Sequence, residues 1–127
     1  MANNIPAYLT ILVVDDFEDS RFMLRRMLEM NDYCVLEAAD GRQAIETVRG
    51  NCPDLILMDL NMPEMDGLTL VRQLRGMPGY KHTPLLVLTT EGTTERKMAG
   101  REAGATGWMV KPFNPQKLLA AVAKVLA

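Results

Sequence analysis

Short apolar runs alternate with amphipathic stretches along the whole chain. The first, third and fourth runs are apolar on consecutive residues, which is typical of parallel strands that are covered on both faces. The other two runs are shorter or mixed. The predicted strands are Thr10–Asp15, Tyr33–Ala38, Asp54–Asp59, Leu85–Thr89 and Gly107–Lys111.

The stretches between and after these runs carry the helical period, with apolar residues at steps of three and four. Asp40, with Gln43 three residues later, is a helix start signal, and Asn114 followed by Pro115 is another. The helices are indicated by Met23–Met30, Ala44–Val48, Leu70–Leu74, Thr94–Ala103 and Leu118–Leu126.

Five repeats of a strand followed by a helix predict an α/β fold with one open, five-stranded parallel sheet and helices on both faces. For a sheet of this size we expect the flavodoxin-like (βα)5 topology with strand order 2-1-3-4-5. The switch point then lies between the first and third strands, and ligand chemistry belongs at their carboxyl ends. The length predicts a single domain over residues 1–127.

Composition excludes several classes of protein. The chain has 14 basic and 16 acidic residues, a formal charge of −2, and no basic run, so nucleic-acid binding is not expected. With 48% apolar residues, disorder is not expected either. The first apolar run, Ile11–Val14, is too short for a signal core or membrane span, which predicts a cytoplasmic protein. Cys34 and Cys52 are expected to be reduced thiols, and the 10 methionines to fill the core.

Charged residues collect at the carboxyl ends of the predicted strands. Asp15 and Asp16 end the first strand, Asp59 the third and Lys111 the fifth. Clustered carboxylates repel, so the cluster must bind a proton or a cation, and an all-oxygen ligand set favours Mg²⁺. A metal there would allow carboxylate attack on a phosphoryl group, and Lys111 would bind a phosphoryl oxygen.

Four separated segments extend this pattern, and together they resemble the response-regulator receiver domains. Within that family the chain is most similar to the single-domain chemotaxis regulators, and the resemblance covers its whole length. The matching segments are Val13–Asp16, Leu57–Gly67, Leu88–Glu91 and Val110–Phe113.

The resemblance implies a phosphoryl acceptor and a metal site. Asp59 would accept a phosphoryl group from a phosphohistidine of a histidine kinase. Mg²⁺ would be bound directly by Asp16, Asp59 and the backbone carbonyl of Asn61, and through water by Asp15.

It also implies the residues that sense the phosphoryl group. The Thr89 hydroxyl would follow the group inward, Lys111 would contact it, and the bond from Lys111 to Pro112 would be cis. Trp108 stands where these regulators carry a Tyr or Phe whose ring turns inward as the threonine moves. Gly67 would relax the loop after Asp66.

Two polar residues bear on how long the phosphoryl group lasts. Asn61 and Glu91 resemble a pair that orients a hydrolytic water in regulators that dephosphorylate themselves quickly. We therefore expect decay within seconds to minutes, and slower decay when either residue is replaced by a bulky cation. Thr90 replaces the Ala or Gly that is usual in these regulators. Its branched side chain is expected to narrow access to Asp59, so small phosphodonors are expected to react slowly.

The resulting hypothesis is a binding switch without action on a separate substrate. Phosphorylation would change the face formed by the fourth helix, fifth strand and fifth helix, which would dock on a protein target; for the chemotaxis subgroup that is the flagellar motor switch. Mg²⁺-dependent phosphatase activity through Asp59 and a non-phosphorylated scaffold are the alternatives. A flavin module is disfavoured because Phe17–Asp19 would repel phosphate. His82 is expected to be a solvated loop residue.

Overall fold

Strands and helices alternate throughout a computed structural model that describes residues 8–60, 67–112 and 114–127. The strands confirm the predicted runs to within one residue at each end. Tyr33, for example, lies outside its strand because its N–H donates to Leu28 O at the end of the preceding helix. The elements are β1 (Thr10–Val14), α1 (Glu18–Glu29), β2 (Cys34–Ala38), α2 (Gly41–Gly50), β3 (Leu55–Asp59), α3 (Gly67–Arg75), β4 (Leu85–Thr89), α4 (Thr94–Ala103), β5 (Gly107–Val110) and α5 (Pro115–Leu126).

The five strands form one parallel sheet in the order β2-β1-β3-β4-β5, which confirms the predicted flavodoxin-like topology. Leu12 of β1 pairs with Leu36 of β2 on one side and with Ile56 of β3 on the other. Because every pair is parallel, the carboxyl ends of all strands meet at one edge of the sheet. That edge carries the charged residues.

Two apolar cores lie on opposite faces of the sheet, because alternate residues of a strand point to opposite sides. Leu12 and Val14 belong to the core that α2, α3 and α4 cover. Ile11 and Val13 belong to the core that α1 and α5 cover. The prediction of helices on both faces is therefore confirmed.

Both predicted helix starts are confirmed by side-chain caps. Asp40 Oδ1 accepts a hydrogen bond from Gln43 N at 2.8 Å, and Asn114 Oδ1 accepts one from Gln116 N at 2.7 Å. Gly104, which the sequence reading did not single out, ends α4 in the left-handed region with φ of 118°. A glycine suits that position because a Cβ disfavours positive φ.

Two expectations were wrong. The methionines do not all fill the core: Met58 is fully buried, but Met23, Met30 and Met98 are 70%, 76% and 59% exposed. A helical period identifies an apolar face without showing how much of it the sheet covers. Gly67 does not relax a loop; it is the buried first residue of α3, and a Cβ there would collide with the Leu60 side chain.

Both cysteines and the histidine agree with their sequence-based predictions. Cys34 and Cys52 are exposed and not disulfide-bonded. His82 is exposed in the loop before β4, at the amino-terminal end of that strand. Within the described ranges, no helix has the length and apolar character that crossing a membrane requires.

Candidate functional site

Three carboxylates meet at the carboxyl edge of the sheet, as predicted. Asp15 and Asp16 directly follow β1, and Asp59 is the last residue of β3. One oxygen atom from each of them lies within 4.8 Å of the others. Asp15 and Asp59 are 1% and 6% exposed, whereas Asp16 is open to solvent. The cluster is therefore buried at Asp15 and Asp59 and accessible to solvent at Asp16.

Asp15 is the carboxylate with the most unusual surroundings. Its Oδ1 accepts a hydrogen bond from Phe17 N at 2.9 Å, but its buried Oδ2 has no hydrogen-bond partner in the described part of the chain. Burial raises the pKa of Asp15, hydrogen bonds from Ser20 and Phe17 oppose that rise, and the nearby Asp59 carboxylate adds to it. Arg21 holds the local backbone through a 2.8 Å hydrogen bond to Asp15 O.

These residues fit a divalent cation. A buried anionic oxygen without a donor is costly, and a cation placed among the three carboxylates would remove that cost. Carboxylate oxygens are the ligands that Mg²⁺ prefers, and one exposed member leaves room for water. The remaining predicted ligand, the Asn61 carbonyl, lies outside the described residues.

Lys111 joins the acidic cluster from the other side. Its Nζ lies 3.0 Å from Asp59 Oδ2, and the two side chains are 25% and 7% exposed. Lys111 N also donates to Thr89 O at 2.7 Å, which extends the pairing of β5 with β4 up to the site. The bond from Lys111 to Pro112 is cis, as the resemblance implied.

The two threonines at the end of β4 have different environments. Thr89 is fully buried, and its Oγ1 accepts a hydrogen bond from Glu91 N at 3.1 Å. Thr90 is exposed and lines a mainly apolar groove of about 450 Å³ together with Lys111 and Pro112. Its side chain thus shares a groove with Lys111, the residue that pairs with Asp59.

Glu91 and Trp108 lie in contact with each other and with α4. The indole Nε1 donates to Glu91 O at 2.8 Å, and the Glu91 carboxylate accepts from Arg96 Nε at 2.6 Å. The half-buried indole ring packs over Gly100, where a Cβ would lie 2.6 Å from Cε3.

Arg96 and Gly100 were missed by the sequence reading, although signals exist for both. A cation in the first turn of a helix opposes the helix dipole, and a glycine inside a helix is less favourable than alanine. Each departure points to a tertiary contact. Phe113, the last residue of the Val110–Phe113 segment, lies outside the described residues, as Asn61 does.

With this geometry in place, comparison with known proteins identifies the family. Residues 11–123 match the family model of the response regulator receiver domain. The chain belongs to that family, which consists of phosphoryl-accepting signalling domains of two-component systems.

Relatives and solved structures agree. The chain is 41% identical over 116 residues to the response regulator MprA of Mycolicibacterium vanbaalenii, covering 91% of this chain and 49% of that protein. The M. tuberculosis MprA gives the same identity and 50% coverage of its length. The chain thus spans about half the length of these curated relatives.

Among solved structures, the Vibrio cholerae chemotaxis protein CheY4 superposes with a TM-score of 0.90 at 44% identity, covering 94% of this chain and 99% of that one. A response regulator described as putative, from Chloroflexus aurantiacus, gives 0.88 at 38% identity, covering 94% and 98%. Both have the fold derived above.

Proposed function

We propose that Asp59 is the phosphoryl acceptor of this receiver domain and that the donor is a phosphohistidine of a histidine kinase. The observation that carries the proposal is the position of the Asp59 carboxylate, 3.0 Å from Lys111 Nζ and within 4.8 Å of both other acidic side chains. A nucleophilic carboxylate needs neighbours that neutralise the charge of an incoming phosphoryl group. Lys111 supplies one cation, and the three carboxylates supply ligands for a second cation, a metal ion.

The chemistry follows from the charges present. An Asp59 carboxylate oxygen forms a bond to phosphorus while the bond from phosphorus to the donor's imidazole nitrogen breaks, which leaves an acyl phosphate and a free histidine. Asp15, Asp16 and Asp59 would hold Mg²⁺, which supplies charge neutralisation to the phosphoryl oxygens. Lys111, now paired with Asp59, would exchange that partner for a phosphoryl oxygen.

The response would be a change of surface. Thr89 lies buried at the end of β4 and connects through the backbone of Glu91 to Trp108 on β5. A shift of the Thr89 hydroxyl toward the phosphoryl group would therefore change the contacts of α4 and β5. We infer that the face formed by α4, β5 and α5 docks on a protein target.

A role in chemotaxis is supported by the similarity to the chemotaxis protein CheY4, which covers 94% of this chain. On that basis the target would be the flagellar motor switch. We also propose that the chain acts in the cytoplasm as a single receiver domain, and that Asn61 and Glu91 give it a phosphoryl lifetime of seconds to minutes.

Intact-mass measurement tests the central assignment. The chain is incubated with Mg²⁺ and acetyl phosphate, or with a phosphorylated kinase, and the mass is recorded. We expect a gain of one phosphoryl group that is lost in Asp59→Asn. Asp54→Asn is the matched control, because Asp54 lies just before the opposite end of the same strand, where its carboxylate accepts a hydrogen bond from Thr10 N at 2.7 Å.

The alternative functions give other results. Multiple turnover of a phosphate ester would indicate a phosphatase that uses Asp59. A wild-type chain that stays unmodified with both donors would favour a scaffold and overturn the proposal.

A further inference from the structure

Glu91 is held at three points by three different residues. Its N–H donates to Thr89 Oγ1 at 3.1 Å, and its carbonyl oxygen accepts from Trp108 Nε1 at 2.8 Å. Its carboxylate accepts from Arg96 Nε at 2.6 Å. The side chain assigned to the hydrolytic water is therefore attached to α4, the helix of the proposed docking face.

The position of Arg96 in its helix makes this contact informative. Arg96 is the third residue of α4, and its backbone N–H is capped by Thr93 Oγ1 at 3.2 Å. A guanidinium in the first turn opposes the helix dipole, so the helix itself gives no reason for a cation there. The Glu91 carboxylate offsets the unfavourable interaction of the Arg96 cation with the helix dipole. Both side chains are partly shielded from solvent, with Arg96 38% and Glu91 42% exposed.

We propose that Arg96 is a positioning residue that withholds the Glu91 carboxylate from the hydrolytic water and so prolongs the phosphorylated state. This inference rests on the proposed function of Asp59. In hydrolysis a water oxygen bonds to phosphorus as the bond from phosphorus to the Asp59 oxygen breaks. Phosphate and a free Asp59 carboxylate result, with the water's second proton passing to phosphate or solvent.

The mechanism is a competition for one carboxylate. While Arg96 binds Oε2 of Glu91, the side chain is less available to orient the water. Since Arg96 belongs to α4, a displacement of α4 by a docked partner would also change the phosphoryl lifetime. Arg96 thus links the output face to signal termination.

The test compares rates of phosphoryl loss. Each protein is phosphorylated with acetyl phosphate and Mg²⁺, the donor is removed, and the decay is followed by intact mass. We expect Arg96→Ala to lose the phosphoryl group about two to five times faster than wild type, the range that an ion pair exposed to this extent can withhold. Arg96→Lys should fall between them, because a single ammonium keeps part of the pair.

Lys97→Ala is the matched control, since it removes the same charge from the next, exposed residue of α4. Its decay should equal that of wild type. In a Glu91→Ala background the Arg96→Ala change should have no further effect, because there is no carboxylate left to release. A purely structural role for Arg96 would not show this dependence on Glu91.

A second measurement varies the salt concentration and needs no further substitution. Raising the salt concentration screens a partly exposed ion pair such as that of Glu91 with Arg96, so the wild-type decay should speed up more than that of Arg96→Ala. Equal or slower decay in Arg96→Ala, or an unchanged effect without Glu91, would overturn the inference while leaving phosphorylation of Asp59 intact. Absence of any phosphoryl uptake by wild type would overturn both.

Discussion

At the scale of single residues, Asp15 shows the conflict between folding and metal binding. Its buried Oδ2 has no hydrogen-bond partner among the described residues, and burial raises its pKa. We expect Asp15→Asn to raise the metal-free free energy of unfolding by about 1 kcal/mol, or roughly 3–6 °C in Tm, because the amide removes a buried charge beside Asp59. Thermal unfolding in EDTA measures this change.

The same variant should lose the stabilisation that Mg²⁺ gives to wild type, since one of three carboxylates is gone. Glu102→Gln, which neutralises an exposed acid in α4, is the control and should keep the full Mg²⁺ response. A destabilised Asp15→Asn that still responds to Mg²⁺ would contradict the assignment of Asp15 to the metal site.

Thr90 allows a second prediction at this scale. Its exposed side chain lines the groove beside Lys111. We expect Thr90→Ala to be phosphorylated faster by acetyl phosphate, by up to roughly fivefold, because a steric barrier of about 1 kcal/mol or less is removed. The initial rate of mass gain measures it.

Thr94→Ala, which shortens an exposed threonine at the start of α4, is the control for Thr90. It should react at the wild-type rate. Equal rates for wild type and Thr90→Ala would show that this side chain does not limit access to Asp59.

At the scale of elements, the contact between α4 and β5 depends on Gly100. A Cβ at that position would lie 2.6 Å from Trp108 Cε3. Gly100→Ala is therefore expected to destabilise the chain by about 1–3 kcal/mol, the usual cost of overpacking, although alanine favours helix. Urea unfolding followed by far-UV circular dichroism, which does not depend on Trp108, the single tryptophan, measures the effect.

The effect of Gly100→Ala on stability should change sign once the Trp108 indole is removed. In a Trp108→Ala background, Gly100→Ala is expected to stabilise by up to about 1 kcal/mol, through helix propensity alone. Gly50→Ala is the control, because nothing lies within 4 Å of that added Cβ at the end of α2. Destabilisation that persists without the indole would mean that another contact limits Gly100.

Elements were predicted well where local physics decides them. The caps at Asp40 and Asn114 formed as expected because a side-chain acceptor three or two residues from an N–H is a local contact. Met23 and Met30 were misjudged because their exposure depends on how far α1 is covered, which only tertiary packing determines. Gly67 was misjudged for the same reason: Leu60 limits the space there.

At the scale of the whole molecule, topology explains why the acidic cluster could be predicted. Parallel strands place all their carboxyl ends at one edge, so Asp15, Asp59 and Lys111 must converge once the strand order is known. The contacts of Glu91 with Arg96 and Trp108 could not be predicted in this way. They join a loop to two different elements, and no period or spacing in the sequence relates them.

Stability as a function of pH tests the cluster in the intact fold. Because the folded-state pKa of Asp15 is raised, the folded protein holds its proton at pH values where the unfolded chain has lost it. The metal-free free energy of unfolding of wild type, relative to Asp15→Asn, should therefore fall as pH rises from the ordinary carboxyl pKa through the raised one. Urea unfolding of both proteins across this range gives the difference.

Mg²⁺ should reverse that trend, because it binds the ionised carboxylate and competes with the proton. At a Mg²⁺ concentration near ten times Kd, the stabilisation of wild type should reach about 1.4 kcal/mol above the raised pKa and disappear below it. Na⁺ at equal ionic strength is the control for screening. A difference between wild type and Asp15→Asn that stays flat with pH, with and without Mg²⁺, would mean that Asp15 neither titrates within the fold nor serves the metal.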